Sequence, residues 1–342
     1  AVSYAAAGHR LKAGVQYDRN PAREQFGMTP NGDVDPALQA ALDPARGGRP
    51  FFFAGRAVGQ NLGLFVQDSV SPLEDLHINV GMRWDRYDML VEESALSPRL
   101  GVAYHVHDSG TVIRGSYSRI FMPPFSENLL LSSSAQARAL STSGIAGADV
   151  TSERQHAFEV GVQQAFSTRA KVDLAYYRKN IRNLADVAQF FDTTVTFPIS
   201  VARGVAEGVE ARVDVPVYRG VNGYLSLARA RTLLTAPLTG GLFLEEVPEA
   251  GERFYADHDQ RWQMQYGATW QHPSTRVSLS ATGRVDSGIP FALPEGFDPA
   301  TFEDPAALPL VNVATGRARS RALLDVLASA DLVRRGPRRL EL

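Results

Sequence analysis

The stretch LHINVGMRWDRY, residues 76–87, alternates between apolar and polar side chains without a break. A period of two residues is typical of a β-strand, whose successive side chains point to opposite faces of a sheet. At twelve residues it is about twice as long as most strands of soluble proteins. It therefore predicts a long strand with one wholly apolar face. The apolar side chains are Leu76, Ile78, Val80, Met82 and Trp84, and the polar ones are His77, Asn79, Arg83 and Asp85.

The same alternation recurs along the chain, which predicts an all-β fold. Less regular strands are expected near 111–119, 222–231 and 321–333, with partial strands at 1–6 and 338–342. Together these segments give about fourteen strands. The clearest repeats lie at 10–19, 61–68, 99–106, 156–164, 171–180, 208–215, 261–270 and 276–285.

Short and long connections alternate between these strands. Irregular loops of about 20–35 residues are uncommon inside compact soluble domains. Transmembrane barrels, by contrast, have short turns on one side and long loops on the other. Short links are expected near 7–9, 70–75, 107–110, 165–170, 216–221, 271–275 and 334–337. Long links are expected at 20–57, 88–97, 120–154, 183–204, 232–259 and 286–320.

A lipid bilayer explains both the strand length and the apolar face. A tilted strand of about 9–11 residues crosses the hydrocarbon layer, and its backbone must be paired within a closed barrel. The apolar face then meets lipid and the polar face lines an aqueous lumen. Aromatic girdles at the lipid boundary fit Tyr17, Trp84, Tyr104, Trp262 and Trp270 near strand ends. A propeller, sandwich or β-solenoid is the soluble alternative, although those folds use shorter strands.

Composition excludes several other classes of protein. The formal net charge of −2 gives no electrostatic grip on nucleic acid. The absence of cysteine excludes disulfides and thiolate metal sites. No run of about 18 apolar residues offers a transmembrane helix. The N-terminal AVSYAAAGHR lacks the pattern of a signal peptide, and we expect the chain to be a fragment that begins within the fold.

Several stretches resemble the barrel of TonB-dependent outer-membrane receptors. LFVQDSVSPLEDLHINVGMRWDRYD (64–88) is similar to that family's Gln-Asp strand end, turn and Leu-x-Leu-x-x-Gly-x-Arg-x-Asp strand. Residues 96–129 resemble the following hairpin and loop, with their Ser-Pro-Arg and Pro-Pro…Glu-Asn marks. The family's order continues through SERQHAFEVGVQQAF, VDLAYYRKNIRNL, GVAEGVEARV, DHDQRWQMQYGATW and DSGIPF. The resemblance thus covers almost the whole chain.

The resemblance implies a transmembrane antiparallel barrel of about 22 strands, filled by an N-terminal plug. On that map residues 1–342 are one barrel domain truncated at both ends, supplying roughly the eighth to the twenty-first strand. The signal peptide, the plug, the box that contacts TonB and the last strand would lie outside it.

The resemblance also implies a function and a location, the bacterial outer membrane. The protein would import a scarce, bulky ligand by loop capture and by plug movement coupled to the TonB–ExbB–ExbD complex. An iron–siderophore, another metal chelate, cobalamin or a carbohydrate would fit, and outer-membrane lipid and lipopolysaccharide would be further partners. A passive porin, a barrel enzyme, or a receptor acting mainly in adhesion or signalling are the alternatives.

Polar residues on the lumen face of neighbouring strands are the candidates for a ligand passage. Their structural role would be cross-strand pairing and contact with the plug. We expect no enzyme activity, no cofactor and no catalytic or metal site, because the sequence has no Gly-x-Ser-x-Gly, nucleophile–base set or phosphate-binding loop. The candidates are Arg83, Asp85, Arg99, Arg114, Glu159, Asp173, Lys179, Glu210, Arg212 and Asp214.

Three further features offer weaker alternatives. In DHDQ (257–260), at most Asp257 and Asp259 can converge on one side of a strand. His105 and His107 are a plausible metal-binding pair, but no third ligand is close in sequence. MPPFSENLLLSSS (122–134) could contact a ligand or could simply pack as an outer loop.

Overall fold

A computed structural model describes residues 1–29, 42, 44–46, 48–139, 150–189, 195–240, 248–272, 277–291, 306, 308–335 and 338–341. The described fold is almost entirely β, as the sequence predicts. Two short helices, α1 (Leu129–Ser132) and α2 (Ala135–Arg138), lie in one connection. The strands are β1 (Val2–Ala6), β2 (His9–Met28), β3 (Phe51–Leu73), β4 (Leu76–Asp88), β5 (Glu92–Val106), β6 (Thr111–Met122), β7 (Glu153–Phe166), β8 (Ala170–Gln189), β9 (Thr196–Tyr218), β10 (Val221–Thr239), β11 (Arg253–Tyr255), β12 (Trp262–Gln271), β13 (Val277–Asp286), β14 (Val311–Asn312), β15 (Arg317–Ala318), β16 (Arg321–Arg335) and β17 (Arg338–Glu341).

The strands form one antiparallel meander. Its hydrogen-bonded path runs through fourteen strands in chain order, from β1 to β17, with β11 paired at the side of β10. Strands β14 and β15 make a separate small hairpin. The predicted count of about fourteen strands is confirmed. Among the described residues, no helix combines the length and apolar content needed to cross a membrane.

The register keeps the apolar side chains on one face across neighbouring strands. Leu64, Trp84 and Leu96 lie directly opposite one another on β3, β4 and β5. No described part of the chain covers this outer face, where Val15 and Val160 remain 66% and 58% exposed. Along β4 the apolar run from Leu76 to Trp84 spans about 26 Å at roughly 3.3 Å per residue. That length is close to the apolar band of about 25 Å on transmembrane barrels.

Helix α1 shows that the sheet is strongly curved. Leu130 and Leu131 of this helix share one buried cluster with Phe51 and Phe53 of β3 and with Phe197 of β9. Those two strands are six positions apart in the sheet, which would separate them by about 29 Å if it were flat. A single helix, about 10 Å wide, can contact both strands only across the concave face. The polar face is therefore the inside of the curve.

Glycines on the inner face make room for large side chains from the next strand. Gly81 lies opposite Arg99, and Gly161 lies opposite Arg114. A Cβ atom at Gly161 would stand 2.7 Å from the Arg114 guanidinium carbon, too close for an unstrained contact. The glycines thus let long polar side chains lie flat along the wall instead of filling the lumen. The same pairing joins Phe65 to Gly14, Tyr177 to Gly208 and Tyr224 to Gly267.

The long connections are shorter than predicted, because strand pairing continues past the apolar band. The prediction of a long link at 88–97 is wrong, since only residues 89–91 separate β4 from β5. Likewise β2 and β3 extend into the predicted link 20–57, and β8 and β9 extend into 183–204. Outside the lipid the backbone can still pair, while the apolar alternation that marks a strand in the sequence is no longer needed. The predicted links 120–154, 232–259 and 286–320 also contain short helices or strands.

Candidate functional site

An ion pair and its polar surroundings form the first groove of the inner face. Arg83 and Asp85, two residues apart on β4, are joined by bonds of 2.8 Å from Nε and 2.7 Å from Nη2 to Oδ1. Asp85 is buried, and Arg83 also donates to Gln16 Oε1 at 3.3 Å. The pair therefore fixes the guanidinium against the wall. The other polar residues that line this groove include Asn61, Ser97 and Arg99.

A second groove, called here the charged groove, lies across β6 to β10. Arg114 donates from both terminal nitrogens to the Asp173 carboxylate at 2.8 Å, and from Nε to Glu159 at 3.3 Å. This bidentate geometry is the strong form of a charged hydrogen bond. On β9, Arg212 and Asp214 form a similar pair, with Nη2 2.7 Å from Oδ1. The residues that define the charged groove are Arg114, Glu159, Asp173, Glu210, Arg212 and Asp214.

Nine of the ten lumen candidates thus line two grooves on the concave face. Arg83, Asp85 and Arg99 lie in the first groove, and the others lie in the charged groove. The tenth, Lys179, is exposed near the middle of β8. Their role in a ligand passage stays a prediction.

The segment 123–139, called here the rim segment, crosses the concave face at the outer strand ends. The Glu24 carboxylate of β2 accepts hydrogen bonds from the backbone N–H groups of Leu130 and Leu131, at 3.1 and 2.8 Å. Asn128 donates to the Thr196 carbonyl oxygen of β9 at 2.7 Å. The leucines are buried, so they stabilise the segment. The residues that stay exposed at its start are Phe125, Ser126 and Glu127.

A buried carboxylate, Asp259, joins three parts of the outer region. Its side chain is only 1% exposed and accepts from Arg261 Nε at 2.7 Å and from Arg317 Nη2 at 2.5 Å. The Thr232 N–H of β10 donates to Oδ1 at 2.7 Å. Burial alone would raise the pKa of this carboxyl, but these hydrogen bonds outweigh burial, and the pKa lies below its ordinary value. The neighbouring Asp257 is 86% exposed, so the two aspartates share no site.

The most important contacts outside the grooves were not predicted from the sequence. Glu24, Asp259 and Arg317 each bond to groups that are distant along the chain. Asp75 likewise approaches His105 and His107 from another turn and supplies the third side chain that the sequence could not place. No local pattern marks these residues, because each lies in an ordinary polar position of a strand or loop.

These features first define a class of protein. A long-stranded, curved antiparallel sheet with an apolar convex face and a charged concave face is the wall of a transmembrane β-barrel. The family model described as TonB dependent receptor-like, beta-barrel, matches residues 2–300. The chain therefore belongs to the TonB-dependent receptor family, within its β-barrel domain.

Solved structures of similar fold cover nearly all of this chain. The FrpB iron transporter from Neisseria meningitidis (F3-3 variant) is 16% identical, with a TM-score of 0.59 over 95% of this chain and 46% of that one. The copper transporter OprC is 12% identical, with a TM-score of 0.60 over 97% and 47%. The ferripyoverdine receptor of the Pseudomonas aeruginosa outer membrane is 13% identical, with a TM-score of 0.59 over 97% and 41%.

At these identities the likeness establishes the fold alone. The chain spans less than half the length of each of these three proteins. A sequence comparison with curated proteins found no match.

Proposed function

We propose that this chain is part of the barrel of a bacterial outer-membrane transporter that actively imports a scarce, bulky ligand. One observation carries the proposal: the first groove and the charged groove lie on the concave face of a sheet whose convex face is apolar. Arginine–carboxylate pairs keep the wall satisfied while no ligand is present. The same groups can then exchange partners with a polar ligand as it passes.

A metal chelate is the ligand class that we favour, with cobalamin and carbohydrate as the other outcomes. The similar structures are named for iron, copper and ferripyoverdine, which supports this choice. The inner wall also offers both cationic and anionic side chains, as a chelate with a metal centre and an acidic or catechol shell requires.

Membership of the family supports a proposal for energy coupling and for the remaining parts of the transporter. We infer that a barrel of about 22 strands encloses a plug, and that the TonB–ExbB–ExbD complex moves the plug. The chemistry is binding and release, without covalent catalysis. The charged groove would contact the plug in the resting state and the ligand during passage.

Lipopolysaccharide is the outer partner that the convex face supports. Arg86 follows Trp84 on the outward side of β4, and Arg178 follows Tyr176 on the outward side of β8. Arg178 and Arg231 share one carboxylate, Glu207, at 2.9 and 2.7 Å. Cations just beyond an apolar band are placed to pair with the phosphates of anionic lipid.

Uptake by cells tests the proposal. A strain lacking the natural full-length protein would be supplied with ferric siderophores, other labelled metal chelates, cobalamin or oligosaccharides in turn. We expect one class to accumulate only in cells that carry both this protein and TonB. Uptake that persists without TonB, together with solute leakage through proteoliposomes, would instead establish a porin. Ligand breakdown by the purified protein would establish an enzyme.

A further inference from the structure

Two turns at the short-connection end of the sheet bring three metal-ligating side chains together. His105 ends the inner face of β5, His107 follows it, and Asp75 lies in the turn between β3 and β4. Asp75 Oδ1 is 3.1 Å from His105 Nδ1 and 3.8 Å from His107 Nδ1. All three donor atoms lie within 4.8 Å of one another, and among the described residues this is the one such group.

Backbone hydrogen bonds hold the three residues in place. The His105 N–H donates to the Asp75 carbonyl oxygen at 2.9 Å, which joins the β3–β4 turn to β5. The Gly110 N–H donates to the Val106 carbonyl oxygen at 3.0 Å, which closes the turn that carries His107. The two imidazole rings meet edge to face, with centroids 5.5 Å apart. The fold therefore fixes the backbone positions from which the three side chains approach one another.

The distances fit a small divalent ion. Nitrogen and oxygen ligands bind Zn²⁺ at about 2.0–2.2 Å in a tetrahedron, which places two ligand atoms about 3.4 Å apart. The observed separations of 3.1 and 3.8 Å bracket that value. The side chains are 32% exposed at Asp75, 39% at His105 and 78% at His107, so water can reach the remaining coordination positions.

We propose that Asp75, His105 and His107 bind a divalent first-row transition ion, with Zn²⁺ as the reference. Two imidazoles select such ions over Mg²⁺ and Ca²⁺, which prefer oxygen ligands. In the metal-free state Asp75 accepts a hydrogen bond from the proton on His105 Nδ1. On binding, that proton passes through solvent to Nε2, and Nδ1 of each histidine gives its lone pair to the ion. Asp75 then exchanges its hydrogen bond with His105 for a bond to the ion. The ion links the β3–β4 turn to the β5–β6 turn. The site does not rest on the proposed transport function.

Metal titration of the natural full-length protein tests the site. The protein would be purified in detergent without a histidine tag, stripped with a chelator, and titrated with Zn²⁺ in competition with a chromophoric chelator. His107→Ala is the main variant, because the exposed side chain can be removed without disturbing packing. His258→Ala is the matched control, since His258 is 77% exposed and contacts the Asp257 carboxylate without belonging to the described metal-ligand group.

We expect the wild type and His258→Ala to bind Zn²⁺ with equal affinity. In His107→Ala and Asp75→Asn, one equivalent of Zn²⁺ should bind at least tenfold more weakly than in the wild type. Bound Co²⁺ should show a visible absorption band in the wild type that His107→Ala loses. A difference in gel migration between unheated and heated samples of each variant confirms that its barrel is folded. Equal binding by the wild type and His107→Ala would overturn the proposal, as would an equal loss in His258→Ala.

Discussion

At the scale of single residues, Asp259 has the largest predicted effect on stability. It is the one acceptor shared by Arg261, Arg317 and the Thr232 N–H. Replacing it with alanine leaves two arginines near a buried site without their carboxylate. We expect Asp259→Ala to lower the free energy of unfolding by about 3–5 kcal/mol. Denaturant unfolding in detergent measures this value, and Asp257→Ala, at an exposed carboxylate, should change it by less than about 0.5 kcal/mol.

The lowered pKa of Asp259 predicts how this stabilisation depends on pH. A carboxyl whose pKa is lower in the folded state stabilises the protein above its unfolded-state pKa, about 3.9. The contribution is lost as the pH falls through the folded-state pKa. The difference in unfolding free energy between wild type and Asp259→Asn should therefore be constant from about pH 8 to pH 5 and shrink below about pH 4. A difference that grows as the pH falls would contradict this assignment.

At the scale of elements, the β9–β10 turn depends on glycine for two separate reasons. Gly220 has a φ of +81°, and a Cβ atom there would lie 2.5 Å from the Gln271 carbonyl oxygen. Gly251, between β10 and β11, is the comparison. It has a φ of +91°, but nothing lies within 4 Å of its Cβ position. Both alanine variants share the cost of positive φ, about 1–2 kcal/mol. Gly220→Ala should cost at least about 1 kcal/mol more than Gly251→Ala, because of the contact with Gln271. Equal unfolding midpoints for the two variants would show that the protein relieves this contact without cost.

The rim segment should depend on one carboxylate from β2. Glu24→Ala removes the acceptor of two backbone N–H groups in α1, and each charged hydrogen bond contributes about 1.5–3 kcal/mol. We expect protease to cut within 123–139 much faster in this variant, while the rest of the barrel stays intact. Glu127→Ala, at an exposed position of the same segment, is the control and should be cut at the wild-type rate.

At the scale of the whole molecule, the two faces of the sheet should respond oppositely to charge. Val160 faces outward opposite Gly115, while Ser116, on the next rung, faces inward opposite Glu159. An arginine on the lipid face near the bilayer centre costs about 2–4 kcal/mol. Val160→Arg should therefore destabilise the barrel in lipid by that amount, measured by unfolding from vesicles. Ser116→Arg should change stability by less than about 0.5 kcal/mol, and the reverse order would invert the assignment of the faces.

The sequence by itself determined the all-β class, the number of strands, the two faces and the family. These properties follow from a period of two residues, which each strand shows locally because lipid and water demand different side chains on its two sides. The ten lumen candidates could be identified for the same reason, and nine of them line the two grooves.

Only the tertiary structure decided which groups meet. Arg114 finds Asp173 across 59 residues of sequence, α1 contacts β3 and β9, and Asp75 joins His105 from a different turn. These contacts depend on register and on curvature, which are set by the pairing of whole strands. The outer strand ends escaped prediction for a related reason: beyond the lipid, backbone pairing continues while the side chains no longer need to alternate.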